Sequence, residues 1–178
     1  MMVAKSAYAL CAIALLAGCK AQEPANQANA VTPSAETQNA ASAAPLTKDQ
    51  ALALMKAREH HMEAFADATK TIGNVLKAPS PDAAPIRQSA AKIAELAPKL
   101  ESWFPAGTGP DVGKTRAKAE IWQKPEDFAL KAHDFNQAAQ TFNLAATSGD
   151  LSQINASFEA LGKSCKACHD LYRAPKKD

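Results

Sequence analysis

Near the end of the chain, large side chains recur in steps of three and four: Leu151, Ile154, Phe158, Leu161, Cys165, Cys168 and Tyr172. That period predicts an amphipathic helix whose apolar stripe must be covered by other helices. Two of the stripe positions belong to Cys165-Lys166-Ala167-Cys168-His169. Two cysteines three apart, followed at once by histidine, have the spacing that attaches c-type haem. The thiols become thioethers at one edge of the porphyrin. The next residue then lies beneath the ring, where a neutral imidazole binds iron. Cys165 and Cys168 are therefore expected to carry one covalent haem c per chain, with His169 as its axial iron ligand. Pro175 stops the helix.

Three other readings of the pair are weighed. A thioredoxin-like redox motif needs a βαβ setting, and no stretch of this chain reads as a strand. A closed zinc site needs four ligands. Outside the leader only His60, His61 and His133 are available, and none has finger-like spacing to the pair. A purely structural pair predicts a colourless protein.

The start of the chain reads as a targeting segment. Lys5 supplies a positive region, and 7–17 form an apolar run too short to span a bilayer. The run ends Leu16-Ala17-Gly18-Cys19, which resembles the lipobox of bacterial lipoprotein signals. Residues 1–18 are thus expected to be a signal peptide, with Cys19 lipidated. The next residue is Lys20, not Asp, which points to the outer membrane. The expected location is the periplasmic face of a bacterial membrane, the soluble periplasm being the alternative. Cys11 leaves with the leader, so every cysteine has an assigned fate and no disulfide is expected. Residues 19–45 hold Ala, Asn, Gln, Pro, Ser and Thr with almost no large apolar side chain, and read as a flexible tether.

Residues 46–178 are expected to form an all-α, antiparallel four-helix bundle. Alanine-rich, aromatic-poor composition favours helices. Thr47 to Gln50 reads as a capping box opening a helix that runs to about Lys77. Its seam is Ala51, Met55, Arg58, Met62, Phe65, Thr69, Ile72 and Leu76. Arg58 is the anomaly on that seam. It either snorkels to the surface or faces haem propionates or the distal pocket. Asp82 caps a second helix with the seam Ile86, Ala90, Ile93, Ala97 and Leu100, which Pro98 kinks or ends. Glu101 to Lys124 reads as a long loop with Trp103, Phe104, Ile121 and Trp122 folded back on the bundle. Pro125-Glu126-Asp127 has the character of a first helical turn. Phe128, Phe135 and Phe142 follow at intervals of seven, alternating with Ala132, Ala139 and Ala146. They fit an ordinary core or the space beside a planar cofactor. Ser148-Gly149 is a turn, and Asp150 to Gln153 is a second capping box.

These features together resemble the cytochrome c′ family. The resemblance runs from about Thr47 to the C-terminus. It rests on Ser164-Cys165-Lys166-Ala167-Cys168-His169-Asp170-Leu171-Tyr172-Arg173, on Thr115-Arg116-Ala117-Lys118-Ala119-Glu120-Ile121-Trp122, and on Arg58 four residues before Met62. It implies an arginine near the haem at Arg58 and a side chain covering the distal face at Met62. It also implies a basic residue, Arg173, near the proximal side. The implied function is binding of NO or CO at a five-coordinate, His169-ligated haem, with electron transfer or NO protection. A homodimer and a periplasmic redox partner are implied as well. The lipid signal and tether depart from the family's usual soluble form.

The alternative is chemical. A thioether is a good sixth ligand, and His169/Met62 ligation would give a low-spin electron carrier. His60 and His61 lie one step off the seam and read as surface or flanking residues. Enzymatic turnover, such as peroxide reduction, wants a distal acid–base group, for which His61 is the only candidate. An enzyme is therefore not expected, weak peroxidase-like or NO-reducing activity aside. The net charge of +2 and the absence of a basic, aromatic-interleaved patch leave no case for nucleic acid.

Overall fold

In the computed structural model, residues 45–176 are described. The expected signal peptide 1–18, the expected lipidation site Cys19 and nearly all of the expected tether 19–45 lie outside the described residues.

Five α-helices follow in order: α1 (Lys48–Leu76), α2 (Ala83–Leu96), α3 (Glu120–Gln123), α4 (Pro125–Ser148) and α5 (Leu151–Tyr172). The four long ones form an antiparallel four-helix bundle, as the periodicity predicts. No strand occurs among the described residues; there is one isolated bridge, Ala117 to Arg173.

The start and stop signals act as their chemistry requires. Thr47 Oγ1 accepts from the Gln50 backbone N–H, and Gln50 Oε1 accepts from the Thr47 N–H at 2.9 Å, closing the capping box. Asp82 accepts from Ala84 N–H at the head of α2. Pro98 ends α2, and the chain tightens into 3₁₀ turns over Ala97–Lys99 and Glu101–Trp103. Gly149 caps α4 at φ 76°, a left-handed conformation that favours glycine. Asp150 caps α5 by accepting from Ser152 and Gln153 N–H. Here the expected reciprocal box is only half built: the Gln153 side chain donates to Asp150 Oδ2 and leaves the cap's own N–H to Ser148 Oγ.

The main core cluster extends from one end of the bundle toward the Cys165–His169 stretch. Ile72, Ile86, Phe142, Ile154 and Leu161 are fully buried there, each stabilising the fold by roughly 1.5–3 kcal/mol. These residues come from the C-terminal parts of α1 and α4 and the N-terminal parts of α2 and α5. The opposite end therefore receives Met55 to Phe65, Ile93 to Leu100, Phe128 to Phe135, and the Cys165–His169 stretch.

Two expectations are corrected. Leu151 is 41% exposed, because the first turn of α5 extends beyond the partner that covers Ile154. The stretch 101–124 is not a loop throughout, since α3 and the 3₁₀ turn Glu101–Trp103 form within it. The α1 seam also drifts: Ala68 is buried beside Ile72, as a 3.6-residue turn slips against a strict heptad.

Candidate functional site

The four long helices pack in sequence around the bundle, α1 on α2, α2 on α4 and α4 on α5. Next to the Cys165–His169 stretch, α1 and α5 instead face each other across a cavity of about 700 Å³. They approach again toward the core end, where the Phe158 ring lies beside Gly73.

Helix α5 supplies Cys165, Cys168 and His169 to the cavity wall. Both cysteines are free and half-buried. Burial pushes the Cys165 thiol up, and burial with the neighbouring Cys165 pushes Cys168 up to about 11. These groups are thiols at neutral pH, unlike the stabilised thiolates of a redox-exchanging pair. Burial, reinforced by Arg173 and Arg116, holds His169 below the ordinary imidazole range. The ring is therefore neutral at pH 7, the form that ligates a metal. No cluster of three or more His, Cys, Asp or Glu exists among the described residues, so a closed zinc site is not built.

The facing wall comes from α1. Met55, Met62 and Phe65 line it, with Leu52 at its edge. Gly113 closes against this edge: a Cβ there would fall 2.6 Å from Leu52 Cδ2, so the loop backbone lies directly on the helix. Phe128 and Phe135 line the cavity from α4, whereas Phe142 sits in the core. The three rings therefore divide between the cavity wall and the deep core.

Arg58 is 4% exposed, which excludes the snorkelling reading. It lines the cavity, yet its guanidinium is held by the loop that follows α2. Nη1 donates to Thr108 Oγ1 at 3.0 Å, and Nη2 donates to Thr108 O at 3.0 Å and Thr115 Oγ1 at 3.3 Å. The group stands 4.7 Å from the Phe104 ring centroid. Burial lowers its pKa, but guanidinium remains charged. None of these partners was legible locally, because they lie 50 and 57 residues away.

A second tie joins that loop to α5. Lys118 N–H donates to Tyr172 O at 2.9 Å, and Ala174 N–H donates to Arg116 O at 2.8 Å. Arg116 Nε donates to Ala174 O as well. Arg173 is thereby fixed at the cavity rim just after the helix, with Lys114 and Arg116 also on the rim. The two candidate histidines of α1 are elsewhere. His60 pairs with Glu63 on the surface, and His61 stacks on Trp103 at 4.4 Å. Neither is among the cavity residues.

The sequence model of the family described as Cytochrome C′ matches residues 53–173. The chain belongs to the cytochrome c′ family. A cytochrome c′ from Pararhodospirillum photometricum is 34% identical over 121 residues, covering 68% of this chain and 96% of the relative. Among solved structures, a cytochrome c′ with ligand-controlled dimer dissociation is 28% identical with a TM-score of 0.66. That match covers 74% of this chain and all 100% of the other. A ferrous cytochrome c′ variant from Alcaligenes xylosoxidans with bound NO is 30% identical with a TM-score of 0.63, covering 73% of this chain and 98% of its own.

Members of the cytochrome c′ family carry covalently bound haem c. The cavity fits such a group on its own chemistry. Two thiols share one wall, a neutral imidazole stands beside them, Met55, Met62 and Phe65 lie on the opposite wall beside Arg58, Glu59 and Glu63, and the rim carries cations suited to carboxylates. No helix among the described residues is long and apolar enough to cross a membrane.

Proposed function

We propose that this is a gas-binding haem protein in which Cys165 and Cys168 hold haem c as two thioethers and His169 ligates the iron. The group, when bound, supplies an iron centre that accepts a diatomic ligand and exchanges one electron. Everything else falls to the chain. Lowered basicity keeps the His169 nitrogen available to a metal. Arg173, Arg116 and Lys114 offer positive charge at the rim for propionate groups. Met62, with Met55 and Phe65, puts bulky apolar side chains on the facing wall, so that only a small ligand enters. Arg58 lines the cavity too, and acts as a positioning residue whose guanidinium fixes the loop. The observation that carries the reading is the placement of Met62 on α1, across the cavity from His169 on α5. NO and CO are the ligands proposed, in keeping with the NO-bound relative.

The same placement supports one rival, with the Met62 thioether as a sixth ligand in a low-spin electron carrier. Met62→Ala separates the two. With an open site, CO association with the ferrous protein should speed up about tenfold or more, each tenfold being about 1.4 kcal/mol off the barrier. An unchanged rate removes Met62 from its covering role. Conversion from a low-spin to a high-spin ferrous spectrum on substitution would establish the rival instead.

The setting proposed is the periplasmic side of a bacterial membrane, with Cys19 lipidated and a periplasmic redox partner returning the iron to its ferrous form. A homodimer fits the relative whose dimer dissociation is ligand-controlled.

A further inference from the structure

Tyr172 is a buried, oxidisable side chain on the cavity wall, and the proposed gas-binding role does not use its partner. Its ring lines the cavity and packs with Cys168 in a cluster with Ile121 and Phe128. It is 4% exposed. Its hydroxyl donates to Asp127 Oδ2 in a short hydrogen bond. Asp127 sits in the first turn of α4, a position that favours negative charge, and is itself exposed. A buried phenol at a redox group's wall, bonded to a carboxylate open to solvent, has what one-electron oxidation of tyrosine needs. The phenol must lose its proton as it loses its electron, and a base must already be in place.

We propose that Tyr172 and Asp127 form a proton-coupled electron donor that protects the site when a hydroperoxide reaches the ferrous haem. With haem bound, hydrogen peroxide would be reduced to two waters by two protons from solvent, one electron that the group supplies and one electron from Tyr172. The phenolic O–H bond breaks and its proton forms a new O–H bond on Asp127. The products are a neutral phenoxyl radical and a neutral carboxylic acid. The oxidising equivalent is thereby drawn away from the Met55 and Met62 thioethers, which are themselves oxidisable.

The other oxidisable rings lack this arrangement. Trp122 packs against the same cluster, but its Nε1–H donates to the Phe104 and Pro105 carbonyls, which cannot take up a proton. Trp103 is stacked on His61 and does not line the cavity. The chain has two tyrosines, and the other, Tyr8, lies in the leader, so a tyrosyl signal from the bundle has a single source.

This role rests on the open-site reading, and one experiment reads both. The ferrous, haem-loaded protein is mixed with one equivalent of hydrogen peroxide and frozen for electron paramagnetic resonance, with optical spectra followed in parallel. The expected result is iron oxidation together with a tyrosyl radical. In Tyr172→Phe the radical should be lost while iron oxidation persists. In Asp127→Asn, which keeps an acceptor but removes the base, it should be weaker and shorter-lived. Oxidised iron with no tyrosyl radical, or a tryptophanyl radical in its place, overturns the donor role and leaves the open site standing. A ferrous iron untouched by peroxide overturns both. Undiminished radical in Asp127→Asn removes the carboxylate from the step and overturns the paired mechanism.

Discussion

Replacing Cys165 and Cys168 together with alanine should abolish covalent haem: the chain should migrate without haem stain on a denaturing gel. Each thiol lies on the same cavity wall, half-buried and with its pKa raised, and His169 follows directly on the helix. The thioethers convert a bimolecular binding equilibrium into a fixed geometry, so their loss leaves only one axial bond and packing to retain the group. The single variants give the finer result. Cys165→Ala and Cys168→Ala should each keep one thioether and one unreacted vinyl group, which shifts the haemochrome band in alkaline pyridine. Two thioethers persisting in either single variant would mean that another residue carries the attachment. Haem remaining on the double variant through denaturation would do the same.

Arg58→Ala should destabilise the haem-loaded protein by about 3–5 kcal/mol, read as a lower urea midpoint at unchanged slope. Arg58 is buried without a carboxylate partner and is held by neutral oxygens from one loop. Hydrogen bonds from a charged donor contribute about 1.5–3 kcal/mol each, offset in part by the cost of burying the charge. Removing the guanidinium also leaves Thr108, which is 0% exposed, with a carbonyl that has lost its donor. The Thr108 hydroxyl keeps only its own donation to Pro105 O. Contact with the Phe104 ring is lost as well. Arg58→Lys should not restore stability, because an ammonium has no planar fork to span Thr108 and Thr115 at once. A midpoint change worth less than about 1 kcal/mol would show that desolvation cancels the bonds, and that the loop is held by its own contacts.

The loop that Arg58 holds marks the boundary of what local pattern can reveal. The seams of α2 and α5 and the start of α1 follow from periodicity and from capping chemistry, both of which operate within four residues. Arg58 stood out as a charge on an apolar stripe, but the reason for it could not be read, since Thr108 and Thr115 become neighbours only once the chain returns over α1. The bridge between Ala117 and Arg173 is likewise a pairing of distant segments, and no strand-like alternation announces it. Leu151 shows the opposite error: the period continues to the helix end, but the side chain there is left 41% exposed. Among the proposed site residues, Cys165, Cys168 and His169 were singled out by a spacing that is itself chemical, and all three line the cavity. Tyr172 was read as a seam residue and as part of the stretch that carries the family resemblance, and its bond to Asp127, 45 residues earlier, had no local signal.

The most direct test of an open, His169-ligated haem facing Met62 is the optical spectrum of the reduced protein before and after addition of CO. A high-spin ferrous spectrum that converts on addition of CO is the predicted result. Sharp low-spin ferrous bands that CO leaves unchanged would contradict it and place the Met62 thioether on the iron.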